Sequence, residues 1–326
     1  MNRVLVTGAS SFLGYHVARR LNEQGIRPRV LELPGMNLAP LKRLDVEQAA
    51  GHLEDSQAIA GACAGVDTVL HLAFKVGLGG GQEAIDEMRK VNVVGTRRLL
   101  DAAAGAGASR AVVVGSALAV GVNREPANLD ERADWSKHAF DFPYAINRRE
   151  AEQEALSRAR PGFAVVAVCP AFTLGPDDPV GAPANKLLKA LINKKLWLTF
   201  PVGFGILDVR DFADSVLRAA ERGKSGERYL ISGHNVTTNQ FLEAAAAVAG
   251  VRAPRFAPPM FLVRIVAAAL GLSTRLIGKP AFDASVLQII GRYAWYDTTR
   301  ARTDLGWEPR PLKQTLEDTI RFLREQ

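Results

Sequence analysis

Cysteine is almost absent: Cys63 and Cys169 are the only two in 326 residues. Both stand among apolar neighbours, and neither has metal-ligand spacing. A disulfide framework and a thiolate metal site are therefore excluded, and two buried thiols of a reducing compartment are expected. No apolar run approaches the roughly eighteen residues that cross a bilayer. The first apolar run is also too short for a signal peptide, so a cytoplasmic protein is expected. Blocks of one charge sign are missing as well. Lys and Arg number 41 against 34 Asp and Glu, a net charge of +7, but the two signs are interspersed, and a nucleic-acid partner is not expected. There is no internal repeat and no low-complexity tract. Hydrophobic residues make up 48% of the chain. That supports a substantial core, and the length suits one large domain or two fused ones.

The chain is organised around its first stretch, Arg3 to Gly14. Val4, Leu5 and Val6 form a short apolar run that Thr7-Gly8 breaks. Phe12, Leu13, Val17 and Leu21 then recur at helical spacing. A buried strand, a tight turn and a helix N-terminus in that order make the first unit of a nucleotide-binding α/β fold. Such a turn presents backbone N–H groups and the positive helix end to a pyrophosphate. Gly8 permits the sharp turn, and Gly14 lets the helix pack close to the strand.

Strands and helices alternate onward. Arg29–Leu33, Thr68–Ala73, Ala111–Val114 and Ala164–Cys169 read as strands, and 83–104 and 144–158 as helices. This alternation predicts an α/β, doubly wound parallel sheet. Gly77–Gly81 and Gly175–Pro183 read as loops. Beyond Pro170 the pattern loosens. Residues 1–170, with 206–235 returning to them, are expected to bind the dinucleotide. Residues 171–205 and 236–326 are expected to form most of a smaller, mixed substrate-binding subdomain. The segment Met260–Leu272 is apolar around most of its circumference, which predicts a buried helix or a lid over a greasy substrate. With Arg264 and Arg275 it could support peripheral membrane contact only.

Glu32 stands eighteen residues after Gly14 and closes the second strand. An acid there can accept hydrogen bonds from the adenosine ribose and would repel a 2′-phosphate, so NAD is favoured over NADP. Tyr144 and Arg148 lie four apart on one helix face and can address one ligand. Ser116 follows the Val112–Val114 strand.

These segments resemble the extended short-chain dehydrogenase/reductase superfamily, the NAD-dependent epimerase/dehydratase family, over nearly the whole chain. The first turn resembles its Thr-Gly-x-x-Gly-x-x-Gly fingerprint, with Ser11 in place of the middle glycine. Gly51-His-Leu-Glu-Asp55 resembles the adenine-holding Gly-Asp-hydrophobic-x-Asp element, with His52 in the Asp position and Leu53 left to pack on the ring. His71-Leu72-Ala73 resembles the His-x-Ala-Ala strand end, with Phe74 replacing the last alanine. Asn92-Val-Val-Gly-Thr96 resembles the element whose Asn ties the sheet to the central helix. Cys169 to Pro176, Asp208-Val-Arg-Asp211, Gly226 to Leu230 and Asp297 to Pro309 match further elements in the same order.

The resemblance implies that Ser116, Tyr144 and Arg148 are the catalytic Ser, Tyr and, in place of Lys, the cation. In that chemistry the Tyr hydroxyl exchanges a proton with the substrate oxygen, and the Ser hydroxyl hydrogen-bonds the same oxygen. The cation stabilises the phenolate and holds the nicotinamide ribose. Arg keeps the charge but cannot shed a proton. The resemblance also implies that Gly8, Ser11, Phe12, Leu13, Gly14, Leu72 and Ala73 line the cofactor, with Pro170, Ala171 and Phe172 near the nicotinamide. Helices 83–104 and 144 onward are the family's dimer elements, so a homodimer is expected. Sugar-nucleotide epimerases carry an Asn where Phe172 stands and an Arg shortly before Asp208, and both are missing. Together with Phe140, Phe142 and Phe204, this points to an apolar small-molecule substrate, in the branch of 3β-hydroxysteroid dehydrogenases, dihydroflavonol reductases and hopanoid-associated sugar epimerases. The expected function is an NAD(P)-dependent oxidoreductase acting on a secondary alcohol or ketone. The alternatives are a nucleotide-sugar epimerase or dehydratase with retained NAD, and a catalytically impaired dinucleotide-binding scaffold.

Overall fold

The computed structural model describes residues 1–76, 81–140, 142–254, 256, 258 and 289–326. The strands are β1 (Val4–Thr7), β2 (Arg29–Glu32), β3 (Glu47–Ala50), β4 (Thr68–His71), β5 (Arg110–Val114), β6 (Ala164–Pro170), β7 (Phe172–Leu174), β8 (Gly203–Asp208), β9 (Arg228–Ile231), β10 (His234–Thr237) and β11 (Tyr293–Ala294). The helices are α1 (Phe12–Glu23), α2 (Ser56–Cys63), α3 (Gly81–Arg89), α4 (Thr96–Gly105), α5 (Trp135–His138), α6 (Pro143–Leu156), α7 (Pro183–Ile192), α8 (Val209–Arg222), α9 (Thr238–Ala249), α10 (Thr299–Leu305) and α11 (Leu312–Arg324).

Among the described residues the larger sheet has the order β3-β2-β1-β4-β5-β6-β9, and its neighbours pair in parallel. This is the doubly wound sheet that the alternation predicts. Its order reverses between β1 and β4, where Thr7 lies beside Leu31 on one side and His71 on the other. Ligands bind outside the carboxyl ends of strands at such a switch point.

The side-chain period of two decides which helices cover which face. Val4 and Val6 join Val17 and Leu21 of α1 and Phe212 and Val216 of α8. Leu5 and Val69 face the other way, onto Ile59 of α2, Leu99 and Leu100 of α4 and Ala155 of α6. Both faces are covered, so these strands read as continuous apolar runs. The edge strand β3, with the sequence Glu-Gln-Ala-Ala, is largely exposed and carries no such signal. Cys63 and Cys169 are free and buried.

The single helix expected over 83–104 is α3, a π-helical stretch over Lys90–Gly95, and α4. Asn92 lies in the π segment. Its Nδ2 donates to the Lys75 carbonyl at 2.9 Å and to Asn147 Oδ1 at 2.7 Å, and its Oδ1 accepts the Lys75 amide at 2.8 Å. One side chain thus ties the chain after β4, the central helix and α6 together. Such π turns are frequent at functional sites.

In the smaller sheet β8 pairs with β7, β10 and β11. Leu174, Leu188, Ile206, Phe241 and Leu316 form the core between this sheet and α7, α9 and α11. The element opening α8 anchors the C-terminal segment to it. Asp208 caps α8 and pairs with Arg210 at 2.8 Å. Asp211 pairs with Arg310 at 2.7 Å, and the Trp307 indole donates to the Asp211 carbonyl at 2.8 Å. Among the described residues no helix is long and apolar enough to cross a membrane. The segment Met260–Leu272 lies outside the described residues, as do residues 77–80 of the glycine-rich loop.

Candidate active site

The turn after β1 is built from close approaches. Gly8 has φ +74°, and a Cβ there would sit 2.8 Å from the Ala73 Cα. A Cβ on Gly14 would lie 2.0 Å from the Gly8 carbonyl oxygen. Ser11 has φ −76°, so its position does not require glycine. Its hydroxyl donates to the Gly8 carbonyl at 2.7 Å and accepts the Gly14 amide at 3.1 Å. Ser11 is therefore the N-cap of α1. Helix geometry leaves the amides of Phe12 and Leu13 without an intrahelical partner, at the positive end of the helix. Both side chains pack with Ala182 and Val209.

Glu32 is buried at the end of β2 and receives the Ser10 amide at 2.9 Å and the Ser10 hydroxyl at 2.7 Å. Burial pushes its carboxyl pKa above the usual range, and the Ser10 hydrogen bonds pull it back only in part. Leu53 is buried, whereas His52 is exposed. On the other side of the turn the Leu72 amide donates to the Thr7 carbonyl at 3.1 Å, and the Ala73 amide to Thr7 Oγ1 at 3.2 Å. His71 bridges Thr7 Oγ1 at 2.7 Å and Thr96 Oγ1 at 2.9 Å. Burial, and then the charge of Arg148, lower its pKa to about 3, so it is a neutral tie between two strands and α4.

Ser116 leaves β5 and caps one 3-10 turn, its hydroxyl accepting the Leu118 amide at 3.3 Å. Tyr144 stands in the first turn of α6, half-buried, in the same apolar cluster as Ala117 and Ala171. Its hydroxyl has no hydrogen-bond partner among the described residues. Arg148, one turn on, is 2% exposed. Its Nη2 donates to the Gly115 carbonyl at 2.6 Å and to the Val114 carbonyl. The guanidinium carbon lies 3.3 Å from the centre of the Phe74 ring. Nε and Nη1 are buried with no acceptor among the described residues, and burial lowers the guanidinium's pKa.

Glu152, one further turn along, is also buried. It lies 2.7 Å from Arg228 and accepts the Cys169 thiol at 3.1 Å. Burial raises its carboxyl pKa against the opposing pull of Arg228. Tyr144, Arg148 and Glu152 share one face of α6, a spacing visible in the sequence. The tie from Ser10 to Glu32 and the stacking of Phe74 on Arg148 were not visible there.

The Ala171 amide donates to the Ile231 carbonyl at 2.9 Å, which carries the chain off the end of β6 at Pro170. Phe172 packs edge-on to Phe204 at 5.5 Å, and Phe204 edge-on to Phe241 at 5.7 Å. Phe140 and Phe142 are 5% and 4% exposed and belong to a core cluster. Four of the aromatics that suggest a greasy substrate therefore already have protein partners.

The residues present suit a dinucleotide. Two glycines leave no room for a Cβ at the turn, two helix amides are open beside it, and a carboxylate closes the next strand. The family described as NAD dependent epimerase/dehydratase matches residues 4–232. Sterol demethylase protein B of Methylococcus capsulatus is 30% identical over 99% of this chain and 98% of its own length. The 4-hydroxy-2-methyl-3-oxo-4-farnesyl-3,4-dihydroquinoline-1-oxide ketoreductase of Stigmatella aurantiaca is 29% identical over 98% of this chain and 96% of its own. The crystal structure of gox2253 superposes with a TM-score of 0.87 at 29% identity, covering 100% of this chain and 98% of that one.

Proposed function

Because this chain belongs to the NAD-dependent epimerase/dehydratase family, and is an NAD-dependent oxidoreductase of its extended short-chain type, we propose that it interconverts a secondary alcohol and a ketone on an apolar small molecule. The observation that carries this reading is the half-buried Tyr144 hydroxyl, without a hydrogen-bond partner among the described residues, beside the turn that bears Ser116 and one turn from a buried cation. Tyr144 would give a proton to the substrate oxygen in reduction and take it in oxidation. Ser116 would hydrogen-bond the same oxygen. Arg148 would supply positive charge behind the phenolate without taking part in proton passage.

NAD, when bound, supplies the hydride donor or acceptor at its nicotinamide C4. The amides of Phe12 and Leu13 would receive its pyrophosphate, and Glu32 its adenosine ribose. Leu53 would pack on adenine. Residues 1–170 with 206–235 would hold the cofactor, and most of 171–205 and 236–326 would shape the substrate side.

An apolar substrate is supported by two relatives, one named for a sterol and one for a farnesylated ketone. It is also supported by Gly203-Phe-Gly-Ile-Leu207, which offers no cation to a sugar-nucleotide diphosphate. The experiment is turnover of a panel of sterol-like and prenylated ketones with NADH. Tyr144→Phe should lower kcat by about 10²–10⁴-fold and leave NAD affinity nearly intact. Full activity of Tyr144→Phe on the substrate so found would remove the assignment.

A further inference from the structure

A buried guanidinium with only part of its donor set satisfied is costly, so something must hold Arg148 as it stands. Three contacts do. Nη2 is fixed on the carbonyls of Val114 and Gly115, the last residues before Ser116. Glu152 supplies opposite charge from the next turn of α6. The ring of Phe74, arriving from the end of β4, lies flat enough on the guanidinium to bring Cζ within 3.3 Å of its centre. Phe74 is itself half-buried and rests against His71 at 5.6 Å. A stacked aromatic leaves the in-plane N–H groups of Arg free to donate. Nε and Nη1 are buried donors with no hydrogen-bond partner among the described residues.

We infer that Phe74 is a positioning residue. Its ring clamps the Arg148 guanidinium so that one nitrogen fixes the strand end before Ser116 while Nε and Nη1 are kept for an oxygen of the ligand beside Tyr144. A small residue at position 74 would leave the long Arg side chain without this constraint, and a Lys at 148 would not need it. Phe74 and Arg148 therefore act as a matched pair.

The first test needs no cofactor and is independent of the oxidoreductase reading. In ¹⁵N-arginine-labelled protein, the Arg148 Nε–Hε resonance, identified by its loss in Arg148→Lys, should show an upfield ring-current shift. That shift should vanish in Phe74→Leu and persist in Phe74→Tyr, whose hydroxyl can reach solvent. An unshifted resonance in the wild type overturns the clamp.

The second test rests on the cofactor reading. Titration with NAD⁺ should show a loss of about threefold to tenfold in affinity for Phe74→Leu and near wild-type affinity for Phe74→Tyr. In an Arg148→Lys background Phe74→Leu should have no further effect. A shifted resonance with unchanged affinity in Phe74→Leu, or Tyr as damaging as Leu, overturns the positioning role. Absence of NAD binding by the wild type would sink the cofactor reading and leave the resonance to decide the clamp. Phe74→Met takes the place of Phe74→Leu if the latter does not fold.

Discussion

Glu32 receives both the amide and the hydroxyl of Ser10, at 2.9 and 2.7 Å. The acid that would read the adenosine ribose is thereby fastened to the turn that would receive the pyrophosphate. A change at either residue is felt at both places.

The first prediction follows from that charge. NAD⁺ should bind more tightly than NADP⁺, and Glu32→Gln should erode the preference by an order of magnitude or more, about what removing one charge a few ångströms from a phosphate implies. Calorimetric titration of both cofactors measures it. The same burial that raises the Glu32 pKa sets a pH dependence. An acid held above its unfolded value favours the fold below the unfolded pKa and loses that contribution as pH rises through the folded one. The cofactor-free Glu32→Gln protein should therefore gain in Tm relative to wild type between acid and neutral pH. A constant difference across that range would contradict this.

Ser11 serves as a helix cap, so its substitutions should rank in an unusual order. Ser11→Ala should cost about 1 kcal/mol of stability, and Ser11→Gly only a few tenths. NAD affinity should survive Ser11→Gly, since the amides of Phe12 and Leu13 are unaltered. Denaturant melts and NAD⁺ titration decide it. A larger loss with glycine than with alanine would mean that the hydroxyl is not the cap.

Acid sensitivity should concentrate at the end of β8. Burial alone would raise the Asp208 pKa, but the hydrogen bonds from Arg210 and the charge of Arg310 carry it below the usual range. A depressed acid contributes stability above its unfolded pKa and loses it as pH falls through the folded one. Asp208→Asn leaves two arginines facing a neutral group and should cost about 3 kcal/mol at neutral pH. That gap should narrow as pH drops towards 3. Denaturant melts across that range test it, and a gap that stays constant would remove Asp208 as the acid-labile tie.

We expect a homodimer through the α3–α4 and α6 region. Ile146 on α6 is 39% exposed and is the large apolar side chain that this helix turns outward. Sedimentation at micromolar concentration should find two copies, and Ile146→Glu should release monomers with unchanged NAD affinity. A wild-type monomer would end the proposal.

Short-range pattern was enough to read much of this molecule from its residues alone. Val4 to Val6 is a continuous apolar run, and Thr68 to His71 a continuously buried strand, because both faces of the sheet are covered. The break at Thr7-Gly8 and the helical spacing that follows locate the phosphate-type turn. A spacing of four positions puts Tyr144 and Arg148 on one face. Where that pattern is weak, reading fails: β3 is polar and exposed on an edge, and the π turn over Lys90–Gly95 is held by hydrogen bonds from Asn92 to Lys75 and Asn147. In the sequence the aromatics Phe140, Phe142, Phe172 and Phe204 point to an apolar substrate. Only the structure shows that their partners are other protein side chains.

The sequence by itself determined the parallel sheet, the turn, the acid at the end of β2, and the Tyr and Arg of α6. Periodicity of two and of 3.6, and the breakers between them, are properties of neighbouring residues. Tertiary structure alone decided where the Arg148 fork points, what lies on its face and what Glu32 holds. These partners stand 34, 33 and 22 positions away along the chain at Val114, Gly115 and Ser10. Most buried donors find an acceptor, but which one each finds depends on how distant strands and helices have already packed.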